Sequence, residues 1–179
     1  MRNILFLLTA LLATPAAAEV KSSSANAFEI EHRVQTVVPP TALFDAFGRI
    51  GSWWSPDHTY SGDAANLSLK LVAGGCFCER LKGGGGVEHL RVSYVDPVKH
   101  MAVLSGALGP LLFEGATGAM TVRVEPIAGG SRLTLNYRVA GFVQGNGAKL
   151  APLVDQVLGE QMKRLRSFAA ASNGRAARP

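Results

Sequence analysis

The chain has 179 residues, enough for one domain with a sizeable core. Its formal net charge is +5, but the basic residues form no stripe with interleaved aromatics, so no nucleic-acid partner is expected. Several of them, Lys163, Arg164, Arg166, Arg175 and Arg178, sit near the C-terminus, where cations complement a helix dipole.

The N-terminus reads as a secretory signal. Arg2 supplies a positive start, and residues 4–12 form an apolar run. At roughly 9 residues that run is too short to span a bilayer core of ~30 Å as a helix. Pro15 breaks it, and Ala16-Ala17-Ala18 offers small residues at the cleavage positions. Cleavage is expected before Glu19, with no stable membrane insertion afterwards. The mature chain is then expected in the periplasm or secreted. That location counts against functions needing ATP, nicotinamide cofactors or coenzyme A.

Residues 19–26 are small and polar, which suggests a flexible lead-in. Residues 28–38 alternate, with Phe28, Ile30, His32, Val34 and Thr36 on one side of a half-buried strand. Pro39-Pro40 ends it, and Thr41 can cap a short helix that buries Leu43, Phe44 and Phe47. A second short helix is expected over residues 50–54, with Pro56 as its stop. Further strands are expected over residues 66–72, 76–81, 87–95, 100–105, 119–125 and 131–139. Gly74-Gly75 makes one turn, and the glycine-rich residues 82–86 make a hairpin loop. The apolar, glycine-broken residues 106–118 suggest a mobile loop over the core. Residues 149–171 form a long helix whose stripe includes Leu150, Leu153, Val154, Val157, Leu158 and Leu165. Pro152 is tolerable there if it falls in the first turn.

This order predicts an α+β domain, a curved antiparallel sheet wrapped around one long C-terminal helix. The expected division is residues 1–18 signal peptide, 19–26 lead-in, 27–171 domain and 172–179 disordered tail. A curved sheet closed by one helix does not always fill its interior, and the gap becomes an apolar cavity.

Trp53-Trp54-Ser55-Pro56 after the short helices, and Gly74-Gly75-x-Phe77 entering a strand, resemble the helix-grip superfamily. This is the START, Bet v 1 and polyketide cyclase group. The chain is most similar to the branch named after activators of the Hsp90 ATPase, over roughly residues 28–168. The resemblance implies a helix-grip fold and a cavity for hydrophobic molecules, and it does not fix a ligand. The position after Gly75, often basic in that branch, is Cys76 here. A secreted protein would meet neither cytosolic Hsp90 nor ATP.

The expected partner is a small hydrophobic or amphipathic molecule. The residues expected to line its cavity are Trp54, Tyr60, Phe77, Tyr94, Met101, Phe113 and Tyr137, with Glu79 as a polar anchor. Adjacent tryptophans cannot point the same way, so one is expected in the core and the other at the cavity mouth. A hairpin turning at Gly84-Gly85 would put Glu79 and Glu88 on the inner face with Phe77, Leu90, Val92 and Tyr94. The alternative function is a cyclase, dehydratase or hydrolase acting through Glu79, Glu88 or His58. Motifs of the type G-x-S-x-G or HExxH and phosphate-cradling glycine loops are missing, so no cofactor is expected. Cys76 and Cys78 form C-x-C. Two positions on an extended strand lie ~6.5–7 Å apart, at or beyond the reach of an unstrained disulfide. With His89 they fall short of the four ligands of a zinc site, so no metal is expected.

Overall fold

The computed structural model describes residues 18–176. The expected signal segment lies outside them except for Ala18. Eight strands form one antiparallel sheet: β1 Ala18–Ser23, β2 Ala27–Thr36, β3 Leu67–Leu69, β4 Cys76–Arg80, β5 Gly86–Asp96, β6 Met101–Ser105, β7 Thr117–Ile127 and β8 Gly130–Ala140. Their order across the sheet is β1-β2-β8-β7-β6-β5-β4-β3. Helix α1, Pro40–Gly48, follows β2, and helix α2, Gly147–Ala176, closes the chain against the curved sheet. This is the expected α+β, helix-grip architecture.

The alternation read from the sequence becomes a buried face. Phe28, Ile30, His32 and Val34 of β2 point inward, as do Leu133, Leu135, Tyr137 and Val139 of β8 and Met120, Val122 and Val124 of β7. Helix α2 buries Ala151, Leu158, Gln161, Met162, Leu165 and Ala169 against them. Helix α1 begins at Pro40 rather than being capped by Thr41. A proline at the first helical position gives up a hydrogen bond that no helix makes there.

Three expected boundaries are corrected. Residues 19–26 are largely not a free lead-in: β1 pairs with β2, Glu19 lying opposite Glu31, so the backbone groups find partners in the sheet. Residues 172–176 belong to α2 rather than to a tail: the strong helix formers Ala169, Ala170 and Ala171 lead the helix on, although Ser172, Asn173 and Gly174 favour it only weakly. Helix α2 also starts earlier than expected, at Gly147, which puts Pro152 beyond the first turn.

The hairpin register differs from expectation as well. Leu81 N–H donates to Gly85 O at 2.8 Å, and Phe77 stands opposite Leu90. Strand β5 then carries two bulges. His89 is the extra residue between the Phe77–Leu90 and Cys78–Glu88 pairs. Ser93 is the extra residue between Val92–Leu104 and Tyr94–Val103. Each bulge reverses which residues point inward. His89 and Leu90 are both buried in consequence, while Glu88 and Tyr94 face out.

The Gly74-Gly75 turn is locked to β5, Gly74 N–H donating to Val92 O and Val92 N–H to Gly75 O, both at 2.8 Å. A side chain at Gly75 would collide with the carbonyl oxygen of Lys70, so the close approach requires glycine.

Candidate functional site: an apolar cleft with one buried histidine

A cavity of about 450 Å³ opens between three segments. The tryptophan loop contributes Trp54 and Tyr60, the sheet contributes Phe77 and His89, and the segment before β7 contributes residues 108–111. The first turns of α2 close it with Leu150, Leu153, Val154, Val157 and Leu158. Leu150, Leu153, Val154 and Val157 of the N-terminal half therefore border the cavity, while Ala151 and Leu158 are buried in the core. Leu153 is accordingly 58% exposed, while Leu165, further along, is fully buried.

The tryptophan loop is seated by polar contacts, because a loop cannot satisfy its own backbone. Ser55 N–H donates to Oε1 of the buried Gln161 on α2 at 2.8 Å. Arg164 Nε donates to Trp53 O at 2.8 Å. Both indoles are buried: Trp53 Nε1 donates to Ala46 O and Trp54 Nε1 to His58 O, each at 2.9 Å. Trp53 packs against Phe47 in the core, and Trp54 meets Phe77 edge-on at 5.4 Å in the cavity wall.

Behind the wall lies a buried ionisable pair. His89 Nε2 sits 3.0 Å from Oε2 of Glu79. The other oxygen of Glu79 accepts from Ser61 N–H. Burial pushes the Glu79 carboxyl up, but hydrogen bonds from Ser61, Tyr60 and His89 outweigh it and hold the group below its usual range. Burial lowers the His89 imidazole despite the neighbouring carboxylate. The Tyr60 ring lies parallel to the imidazole, centroids 5.9 Å apart, and burial followed by the Glu79 charge raises its phenol. His89 Nδ1 is buried and has no hydrogen-bond partner among the described residues.

Of the residues expected to line the cavity, Trp54, Tyr60 and Phe77 do so. Glu79 stands behind His89 and orients it. Tyr137 is buried beneath the wall, where its hydroxyl accepts from Leu108 N–H at 2.9 Å and donates to Gly106 O at 3.2 Å. It thereby fixes the segment of residues 106–108, and burial pushes its phenol up to about 12. Phe113 is 79% exposed and meets Tyr60 edge-on at the rim, ring centroids 6.5 Å apart.

Tyr94 and Met101 are elsewhere. The Ser93 bulge turns Tyr94 to the outer face, where its hydroxyl donates to Asp96 at 3.3 Å. Met101 pairs with Asp96 and alternates with the inward Ala102 and Leu104, so it too points out. Of the other groups considered for acid–base chemistry, Glu88 is exposed and ion-paired with Arg91. His58 lies in the cavity wall, 3.1 Å from Glu160.

Sequence reasoning missed His89, because only the bulge brings it inward. It also missed residues 108–111 as wall. The helical face was visible as the apolar stripe, but not as cavity lining.

Cys76 and Cys78 form a disulfide with Cα atoms 5.3 Å apart. This is closer than an extended strand allows and within the ordinary range. The expectation assumed regular extension, whereas β4 is contracted opposite the His89 bulge.

No protein-family model matches the chain, and no curated protein matches it. Solved structures do. An uncharacterized protein of Rhizobium leguminosarum is similar at TM-score 0.59 and 16% identity, covering 87% of this chain and 98% of its own. A protein of Rhizobium loti is similar at TM-score 0.57 and 21% identity, covering 79% and 96%. Ara h 8.0201 is similar at TM-score 0.55 and 14% identity, covering 81% and 99%. At these identities the likeness is one of fold: the chain has a Bet v 1-like, helix-grip fold.

Proposed function

We propose that the protein binds one small hydrophobic or amphipathic molecule in the cleft between the tryptophan loop and α2. The observation that carries this is the cleft itself, about 450 Å³ and walled by Trp54, Phe77, Leu111, Val154, Val157 and Leu158. Ligand sites are commonly cavities of about 300–1,000 Å³ with apolar walls and a few polar groups. The sequence resemblance to the branch of Hsp90 ATPase activators is the finer placement we propose, on the tryptophan and glycine motifs. It carries no co-chaperone role here.

Thermal unfolding against fractionated lipid extracts tests the binding. A ligand at ~100 times its Kd stabilises by about 2.7 kcal/mol. For a chain of this size that is a rise in Tm of roughly 5–10 °C. Joint replacement Val154→Trp and Val157→Trp should fill the cleft and abolish the rise. A rise that survives in the filled variant would place the ligand elsewhere.

The proposal includes a location outside the cytoplasm. Two features support it: the N-terminal apolar run before Ala16-Ala17-Ala18, and the Cys76–Cys78 disulfide, which suits an oxidising compartment. Cleavage before Glu19 would leave the β1 pairing of Glu19 with Glu31 intact. N-terminal sequencing of protein from cell fractions should find Glu19 first in the periplasm or medium. An uncut chain confined to the cytoplasm would refute this part.

A further inference from the structure

We infer that the Cys76–Cys78 disulfide is a thiol–disulfide exchange site on the outer face of the sheet, and that it takes thiols carrying negative charge. The cleft plays no part in it. Phe77, between the two cysteines, points into the cleft wall, and the cysteines alternate with it and point the other way.

The bond lies at the surface. Both cysteines are partly exposed, and both sulfurs lie within 4.8 Å of a carboxylate oxygen of Glu88, a side chain 44% exposed. The bond also adds little to the fold. A disulfide stabilises chiefly by closing a loop in the unfolded chain, more for a longer loop, and this one encloses Phe77 alone. Strand β4 is in any case paired on both sides, Cys78 standing between Ser68 of β3 and Glu88 of β5. An exposed disulfide that the fold does not need is of the labile kind that exchanges with thiols.

The charges around it choose the partner. Arg91 stands opposite Cys76, and Arg80 follows Cys78 on the same face. Lys70 N–H donates to Cys76 O at 3.1 Å, and Lys70 follows Leu69, which packs against the core. All three cations are exposed. Arg91 is paired with Glu88 and offsets that carboxylate. Lys70 and Arg80 have no ion-pair partner among the described residues, so the patch is positive. The attacking species in exchange is a thiolate, and one with a carboxylate elsewhere is drawn to such a patch.

In the exchange, a substrate thiolate attacks one cysteine sulfur. A substrate–cysteine disulfide forms, the Cys76–Cys78 bond breaks, and the second cysteine leaves as a thiolate that takes a proton from water. A second substrate thiolate attacks the mixed disulfide and releases the other cysteine. Two substrate thiols are oxidised to one disulfide, and the protein is reduced to two thiols.

Three small thiols test this: anionic 3-mercaptopropionate, neutral 2-mercaptoethanol and cationic cysteamine. Each is added to the whole folded protein, and opened cysteines are trapped with iodoacetamide and counted by mass spectrometry. Each rate is divided by the same thiol's rate with 2-hydroxyethyl disulfide, which removes differences in nucleophilicity. At low salt 3-mercaptopropionate should lead cysteamine by about tenfold or more, and the lead should shrink as salt rises. Circular dichroism should stay native throughout. Joint replacement Lys70→Gln and Arg80→Gln should erase the lead.

Cysteines that open only as the protein unfolds, or not at all, would overturn the exchange site. Equal normalised rates, or a lead indifferent to salt, would overturn the selection by charge. Should the double variant fail to fold, the salt dependence of the wild type decides. Neither failure touches ligand binding in the cleft, which is measured separately.

Discussion

Glu79→Ala is expected to destabilise the protein by about 2–6 kcal/mol, at about 1–3 kcal/mol for each of the two buried polar groups it leaves without a partner. Glu79 is 2% exposed, and its loss strands Ser61 N–H and His89 Nε2. Urea unfolding monitored by tryptophan fluorescence measures it. Glu79→Gln should cost less, because the amide keeps both contacts. An alanine variant within about 1 kcal/mol of wild type would mean that the pair is solvated.

The same groups set the acid response. The Glu79 carboxyl is held below its ordinary 4.5 in the fold, so its stabilisation is complete above that value and is lost as pH falls below it. His89 and His32 are both held below the ordinary 6.5, chiefly by burial, His32 despite Asp155 at 2.9 Å. The unfolded chain therefore binds more protons at these sites, and stability starts to decline as pH drops through 6.5. Stability independent of pH between 7 and 4 would contradict the burial of all three.

Trp54→Ala is expected to cost about 3–5 kcal/mol as well, the range for truncating a buried tryptophan. It should also weaken ligand binding, which Trp53→Ala should not do to the same degree. The two indoles are adjacent and both buried, but only Trp54 forms cavity wall. Its Nε1 also holds His58 O, so the loop that carries Tyr60 loses its anchor. Binding losses of equal size in the two variants, at equal stability, would place the ligand outside the cleft.

The fold was legible because its signals are periodic. Alternation in β2, β7 and β8 and the three- and four-residue steps of α2 each hold over many residues, so a local irregularity does not hide them. The cavity wall was legible where an aromatic entered by position in a loop, as with Trp54 and Tyr60, or on a regular strand, as with Phe77. It failed along β5. One extra residue at His89 and another at Ser93 invert the faces twice within a single strand, and nothing in Glu88-His89-Leu90-Arg91-Val92-Ser93-Tyr94 marks either bulge. The uniform alternation that placed Glu88 and Tyr94 inside is the same assumption that hid His89. The strand β1 was missed for a different reason. Its residues are small and polar, and the strand is held at the sheet edge by backbone pairing, with little contribution from a buried face.

Native mass spectrometry of the protein isolated from the cells that make it, followed by denaturation and identification of what is released, tests the central claim most directly. The account predicts one small hydrophobic or amphipathic molecule per chain, absent from the Val154→Trp, Val157→Trp variant prepared the same way. A chain that stays empty even after exposure to whole lipid extract, or a filled variant that carries the same molecule, would contradict it.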